Sequence, residues 1–126
     1  MTGESILVVE DDGLIAFYVS ELLEKAGYRI IGPASTGEMV LRKLEEPKKP
    51  DLILMDVGLA GSLDGIETAR LVRQRFSVPL IFLTGCPAGS TLERMQELEP
   101  EGCIVKPFQE KDLLTVVRKA IDGRAS

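Results

Sequence analysis

The sequence contains no histidine and no tryptophan among its 126 residues, and it has only two cysteines. Without histidine there is no imidazole to act as a general base, which excludes Ser-His-Asp and Cys-His catalytic sites. A zinc site would lack its usual partner ligands, and the spacing of Cys86 and Cys103 fits no zinc pattern. Any chemistry must therefore use carboxylates, lysine, hydroxyl groups and a metal ion.

Long apolar runs are also absent. No run approaches the roughly 18 residues of a membrane-spanning helix, and the N-terminus lacks the basic and apolar regions of a secretory signal. We therefore expect a cytoplasmic protein with no membrane partner, in which Cys86 and Cys103 are reduced and act as small hydrophobic residues. The net charge of −5 argues against nucleic acid as a direct partner, because such binding depends on a basic surface.

The composition is that of one ordinary globular domain. The chain is 44% hydrophobic and 28% charged, and its 126 residues are close to the commonest domain size. We expect a single domain over residues 1–126, with no room for an output domain after the last predicted helix.

Apolar runs typical of buried strands alternate with segments whose apolar residues recur every three or four positions, as in helices. The predicted strands are Ile6–Val9, Tyr28–Gly32, Leu52–Met55, Pro79–Leu83 and about Cys103–Val105. The predicted helices cover about residues 14–26, 36–46, 64–76, 91–98 and 109–122, and residues 33–36 are predicted to turn the chain. This alternation predicts an α/β fold, in which helices cover both faces of a parallel sheet through right-handed crossovers.

Polar side chains stand where four of the predicted strands end. Asp56 closes the third strand, and Glu10 and Asp11 follow the first. Thr84 and Lys106 follow the fourth and fifth strands. Because the carboxyl ends of parallel strands line one edge of the sheet, where open α/β folds bind ligands, we expect one site there. Carboxylates, a hydroxyl and a lysine suit a divalent cation and a phosphoryl group.

Five motifs occur in the order and at the spacing of one protein family. They are Val8–Asp12, Leu54–Asp56, Asp64–Ile66, Leu83–Thr84 and Lys106–Phe108. In these motifs, and over essentially its whole length, the chain resembles the receiver domain of two-component response regulators. Each motif alone is a weak signal, but five together at strand ends and loops are a strong one. The resemblance implies a flavodoxin-like (βα)5 fold, a doubly wound parallel sheet with strand order 2-1-3-4-5.

The resemblance also implies a magnesium site. Asp11 and Asp56 would bind Mg²⁺ directly, Glu10 would act through a coordinated water, and the backbone carbonyl of Gly58 would be a further ligand. Magnesium prefers oxygen ligands and keeps several waters, so this set suits it. Three crowded carboxylates repel one another, and a divalent cation relieves that repulsion. Asp12 is instead expected to cap the following helix.

The same resemblance implies a phosphorylation site. Asp56 would be the phosphoacceptor, and Thr84 and Lys106 would contact the phosphoryl oxygens. A cation and an ammonium group stabilise the charge on those oxygens during transfer. The peptide bond between Lys106 and Pro107 would be cis, which would aim the lysine into the site.

The leading hypothesis is a stand-alone phosphoacceptor switch in a phosphorelay. A sensor histidine kinase or a histidine phosphotransfer protein would supply the phosphohistidine that this chain lacks. Phosphorylation of Asp56 would then change a face that binds an unknown downstream protein. Such a chain is not an enzyme beyond its Mg²⁺-dependent self-phosphorylation and autodephosphorylation. We expect it to be a monomer or a weak homodimer.

Two other functions fit parts of the sequence. A phosphatase of the haloacid-dehalogenase type also forms an aspartyl phosphate, but it needs a second aspartate two residues after the nucleophile. Here that residue is Gly58, and no cap domain is visible to hold a substrate. A degenerate receiver would work only as a protein-binding module, which the intact acidic cluster argues against.

Two features depart from the commonest receivers. Cys103 stands where many of them have Tyr or Phe, three residues before Lys106. Without that aromatic ring, we expect the loop over residues 85–90 to carry most of the change on phosphorylation. The segment 57–63 is one residue longer than usual, lacks the usual proline and resembles a subgroup with a Leu-x-Gly-x-x-Asp-Gly loop. Magnesium should still bind, while partner docking at this loop should differ.

Overall fold

A computed structural model of the protein describes residues 3–59, 61–85 and 89–125, so Cys86 lies outside the described residues. The strands are β1 (Ser5–Val9), β2 (Arg29–Ala34), β3 (Leu52–Asp56), β4 (Leu80–Thr84) and β5 (Gly102–Val105). The helices are α1 (Gly13–Lys25), α2 (Gly37–Leu44), α3 (Gly65–Arg75), α4 (Gly89–Glu97) and α5 (Glu110–Ala125). Every predicted element is present, with its ends shifted by a few residues. None of the described helices is both long and apolar enough to cross a membrane.

The strands form one parallel sheet in the order β2-β1-β3-β4-β5. The predicted α/β fold and the strand order implied by the resemblance are therefore confirmed. β1 and β3 lie side by side at the centre of the sheet, with Val9 paired with Met55. This pairing brings the chain that follows β1 next to the end of β3.

The strands β1, β3 and β4 are buried on both faces of the sheet, which is why they read as continuous apolar runs. Successive side chains of a strand point to opposite faces. In β1, Ile6 and Val8 pack with α1 and α5, whereas Leu7 and Val9 pack with α2, α3 and α4. Met95 is the buried residue of α4.

The edge strand β2 continues beyond its predicted end. Pro33 and Ala34, predicted to lie in a turn, belong to the strand, so that prediction is wrong. An edge strand tolerates proline because one side of its backbone needs no partner. A register shift between Leu7 and Val9 lets Ala34 pair with Val9. The amide of Glu10 then donates to the Ala34 carbonyl at 2.9 Å, which holds Glu10 at the end of β1.

Polar residues at the carboxyl edge of the sheet cap three helices. The side chain of Asp12 accepts hydrogen bonds from amides in the first turn of α1, which confirms its predicted capping role. Thr36 caps α2, and Asp64 and Glu67 form a capping box at the start of α3. These caps begin the helices directly beside the strand ends.

Candidate functional site

The acidic residues that were predicted to form the site lie at the carboxyl edge of the sheet. Glu10 and Asp11 follow β1, and Asp56 is the last residue of β3. One carboxylate oxygen of each lies within 4.8 Å of the others. Glu10 and Asp56 are 3% and 5% exposed, so two of the three carboxylates are held away from bulk water. The predicted cluster is thus present.

Lys106 enters this cluster from the end of β5. Its Nζ lies 3.2 Å from Oε1 of Glu10 and 3.3 Å from Oδ1 of Asp56. The peptide bond to Pro107 is cis, as the resemblance implies. Burial opposes the charge on Lys106, but the two carboxylates outweigh it and hold its pKa above the usual value. The lysine is therefore a fixed cation at the site.

Two further groups lie beside Asp56. The amide of Gly58 donates to Oδ1 of Asp56 at 3.2 Å, which places the first part of segment 57–63 at the site. Thr84 ends β4 in a buried position, and its hydroxyl donates to the carbonyl of Gly85 at 2.9 Å. The amide of Lys106 donates to the Thr84 carbonyl at 2.7 Å, so the ends of β4 and β5 are joined. All six predicted site residues therefore lie at this edge, and their individual roles stay predictions.

The carboxyl group of Glu10 has a strongly raised pKa. Burial raises the pKa of its carboxyl from the usual 4.5 to about 7. That value already includes a smaller raising effect of Asp56 and the lowering effects of hydrogen bonds from the Asp12 amide and from Lys106. Because Glu10 is buried beside Asp56, its carboxyl is protonated in part of the molecules near neutral pH.

This arrangement fits Mg²⁺ by the chemistry of its donors. Glu10, Asp11 and Asp56 supply carboxylate oxygens, and the Gly58 backbone reaches the same place. Hard divalent cations take such oxygen ligands. A divalent charge would favour the ionised form of Glu10 against the burial and the neighbouring Asp56 that raise its pKa. The described donor set is therefore suited to a magnesium ion.

The shifted pKa of Glu10 gives a testable dependence on pH. Without magnesium, the Glu10→Gln variant should be more stable than the wild type at pH 8 and nearly equal at pH 4.5. The pKa is higher in the folded than in the unfolded state, so the wild type loses stability as pH rises from 4.5 to about 7. We expect the variant to gain about 3 kcal/mol at pH 8, since the pKa is raised from 4.5 to about 7 and one pKa unit corresponds to about 1.4 kcal/mol.

Urea unfolding of both proteins at the two pH values measures this difference. The exposed substitution Glu24→Gln on α1 serves as the control and should change little at either pH. An equal gain from Glu10→Gln at both pH values would contradict the assignment.

Comparison with known proteins agrees with this geometry. The family model of the response regulator receiver domain matches residues 6–118. The chain belongs to the response regulator receiver family. Receiver domains act in phosphorelay signalling, bind Mg²⁺ and interact with kinases or phosphotransfer proteins. The family suggested by the sequence motifs is therefore confirmed.

This receiver domain is similar to parts of longer regulators. It is 35% identical over 119 residues to the phyllosphere-induced regulator PhyR of Methylorubrum extorquens, covering 92% of this chain and 43% of PhyR. It is 33% identical over 116 residues to the transcriptional regulatory protein PdtaR of Mycobacterium tuberculosis, covering 92% of this chain and 56% of PdtaR. The chain spans about half the length of the curated relatives it matches.

A solved structure supports the magnesium chemistry of the family. The receiver domain of sensor histidine kinase PA1611 from Pseudomonas aeruginosa PAO1 was crystallised with a magnesium ion coordinated in its active site cleft. It is 28% identical, with a TM-score of 0.85, over 95% of this chain and 98% of that chain. Mg²⁺ is therefore the metal to test at the carboxylates of this receiver domain.

The sequence of the receiver domain only partly predicted which side chains are exposed. Leu14, Phe17 and Tyr18 of α1 are 83%, 64% and 48% exposed, beside the site. Helical periodicity indicated an inner face but did not show that the outer face is apolar. Cys103, expected to act as a small hydrophobic residue, is exposed. Its exposure follows from the place of β5 at the edge of the sheet, where Ile104 is the buried residue of the strand.

The sequence also did not predict two contacts between loops and helices. Arg94 of α4 lies 3.4 Å from Asp64, the residue that caps α3. Ser62, in the long segment 57–63, donates to Glu38 in the first turn of α2. The unusual length of this segment was the one signal in the sequence, and it did not indicate which helix the segment contacts.

Proposed function

We propose that this chain accepts a phosphoryl group on Asp56 from a phosphohistidine of a sensor histidine kinase or a histidine phosphotransfer protein. The observation that carries the proposal is the surroundings of the Asp56 carboxylate. It is buried, lies 3.3 Å from the Lys106 ammonium and shares an oxygen cluster with Glu10 and Asp11. A nucleophile, a cation and a set of metal ligands therefore converge on one point.

The transfer exchanges one bond for another. An oxygen of Asp56 forms the new O–P bond as the P–N bond to the donor imidazole breaks, and the bonding pair leaves with the nitrogen. Lys106 is placed to donate to a phosphoryl oxygen as negative charge is redistributed. Thr84 can do the same once its hydroxyl leaves the Gly85 carbonyl. Mg²⁺, when bound at the three carboxylates, would neutralise phosphoryl charge.

The phosphoryl donor in this proposal is another protein. The chain has no histidine of its own to phosphorylate. The exposed apolar side chains of Leu14, Phe17 and Tyr18 lie on α1 beside the site. The ring of Tyr18 stacks on that of Phe108, which follows Lys106 and Pro107, with 6.1 Å between the ring centroids. An apolar surface of this kind next to a polar centre suits a protein that presents a phosphohistidine. The chain would act only on itself, and its product would be a changed face for a downstream protein.

The test is phosphorylation of the purified protein by acetyl phosphate with Mg²⁺. We expect one added phosphoryl group per chain, mapped to Asp56 and absent with a chelator or in Asp56→Asn. The exposed substitution Asp112→Asn is the matched control and should label normally. Undiminished labelling of Asp56→Asn would overturn the proposal. Absence of any label would favour a protein-binding module, and sustained turnover of p-nitrophenyl phosphate would favour a phosphatase.

A second donor in the same experiment tests the role of a partner protein. With a phosphorylated histidine phosphotransfer domain as donor, Phe17→Ala should slow labelling, whereas labelling by acetyl phosphate should be unchanged. Equal slowing with both donors would mean that Phe17 serves the site and not the partner.

A further inference from the structure

The long segment 57–63 has one end at the phosphoacceptor. The amide of Gly58 donates to Oδ1 of Asp56 at 3.2 Å, and the amide of Val57 donates to the Leu83 carbonyl at 3.0 Å. The next side chain, Leu59, is 6% exposed and packs into the core between the sheet and α2, α3 and α4. The segment therefore leaves the site as part of the packed structure.

Its other end lies on the first turn of α2. The hydroxyl of Ser62 donates to the carboxylate of Glu38, and this hydrogen bond holds the pKa of Glu38 below its usual value. Gly61 has φ of +101°, and a Cβ there would stand 3.8 Å from Thr36 and 3.9 Å from Glu38. Gly61 and Ser62 thus lie close to the start of the helix.

Below this contact, α2 and α3 approach each other without room for a side chain. A Cβ on Gly37 would overlap the hydroxyl of Thr68 and would stand 3.0 Å from Cβ of Leu63. Thr68 is fully buried, and its hydroxyl donates to the Asp64 carbonyl at 2.8 Å. The spacing between α2 and α3 is therefore set at Gly37, and Leu63 lies in that spacing.

We propose that the first turn of α2, through Gly37 and Glu38, positions Gly58 for magnesium binding at the phosphoacceptor. Both are positioning residues, since they contact segment 57–63 and not the carboxylate cluster. The physical reason is that residues 57–59 are held at the end of the sheet and residues 61–63 at α2. A shift of α2 changes the distance that the chain must span between them, and the Gly58 backbone lies at the near end of that span. The inference rests on the proposed function and specifies how this chain holds its longer loop.

The first test uses exposed residues that do not threaten folding. Mg²⁺ titrated into the unphosphorylated protein should bind about fivefold more weakly to Ser62→Ala and to Glu38→Ala, as expected for loss of one hydrogen bond. The double variant should be no weaker than either single variant, because both remove the same contact. Ser77→Ala, on an exposed serine after α3, is the control. Unchanged Mg²⁺ affinity in both single variants, or additive effects in the double variant, would overturn the inference.

The second test changes the helix spacing. Gly37→Ala should weaken Mg²⁺ binding about tenfold, as do changes to residues that orient metal ligands. Thr68→Ala removes the hydroxyl that the new methyl group would overlap, so the double variant should regain most of the affinity. A folded Gly37→Ala with wild-type affinity, or no recovery in the double variant, would contradict the inference. Acetyl phosphate labelling of the wild type is measured in parallel: if it fails, the proposed function fails, whereas normal labelling with unchanged Mg²⁺ affinities refutes only this inference.

Discussion

Replacing Gly65 with alanine is expected to remove most of the folding stability of this receiver domain. A Cβ at this position would overlap the backbone carbonyl oxygen of Asp56 and stand 2.8 Å from Cα of Val57. Backbone atoms at the end of a central strand cannot move aside as a flexible side chain can. The amide of Gly65 also donates to the Val57 carbonyl at 2.9 Å, so the first turn of α3 would have to leave this contact.

We expect a loss of at least about 4 kcal/mol in the free energy of unfolding, a large share of what a domain of this size has. Urea unfolding measures it. Gly13→Ala is the matched control, because a Cβ there meets nothing within 4 Å at the start of α1. It should be neutral or slightly stabilising, since alanine favours helix more than glycine. Equal effects of the two substitutions would contradict the close approach at Gly65.

Lys106→Ala should have the second large effect, on both stability and phosphorylation. The lysine lies within hydrogen-bonding distance of two buried carboxylates, Glu10 and Asp56. Removing it leaves their charge without a nearby ammonium. At pH 8 without magnesium, we expect a loss of about 2 kcal/mol, which is below the cost of breaking a fully buried pair because Lys106 is partly exposed.

The loss of folding stability in Lys106→Ala should become smaller at lower pH and in the presence of Mg²⁺. As the pH falls below the raised pKa of Glu10, this carboxyl is protonated in the folded state and less charge needs a partner. The loss of stability should therefore shrink toward pH 5, and millimolar Mg²⁺ should also reduce it. Lys111→Ala, on an exposed lysine of α5, is the control for the loss of one positive charge.

Labelling of Lys106→Ala by acetyl phosphate should be about a hundredfold slower than that of the wild type, the usual cost of removing one group that stabilises developing charge. This rate is measured with saturating Mg²⁺, where the folded state is populated. A rate within a few fold of the wild type would remove Lys106 from the proposed chemistry.

The order of elements and the site residues could be predicted because both depend on local features of the chain. Apolar runs such as Ile6–Val9 and Leu52–Met55 mark strands that are buried on both faces. In a parallel sheet, every strand carries its carboxyl end to the same edge. It follows that Glu10, Asp56 and Lys106 had to lie near one another, although Lys106 and Glu10 are 96 residues apart in the chain.

Other features depend on contacts that no local pattern encodes. The pKa of Glu10 depends on its burial and on the side chains around it. The extension of β2 through Ala34 depends on a register shift in its neighbour β1. The exposure of Cys103 depends on β5 lying at the edge of the sheet.

From the sequence alone, the fold class, the order of the elements and the residue types that meet at the site could be predicted. These follow from hydrophobic periodicity and from turn and capping residues, which act over a few neighbouring positions. The contact of Ser62 with α2 and the close approach of α2 to α3 at Gly37 were seen first in the folded protein. Such contacts depend on the packed volumes of side chains far apart in the chain, and close packing permits only one arrangement of them.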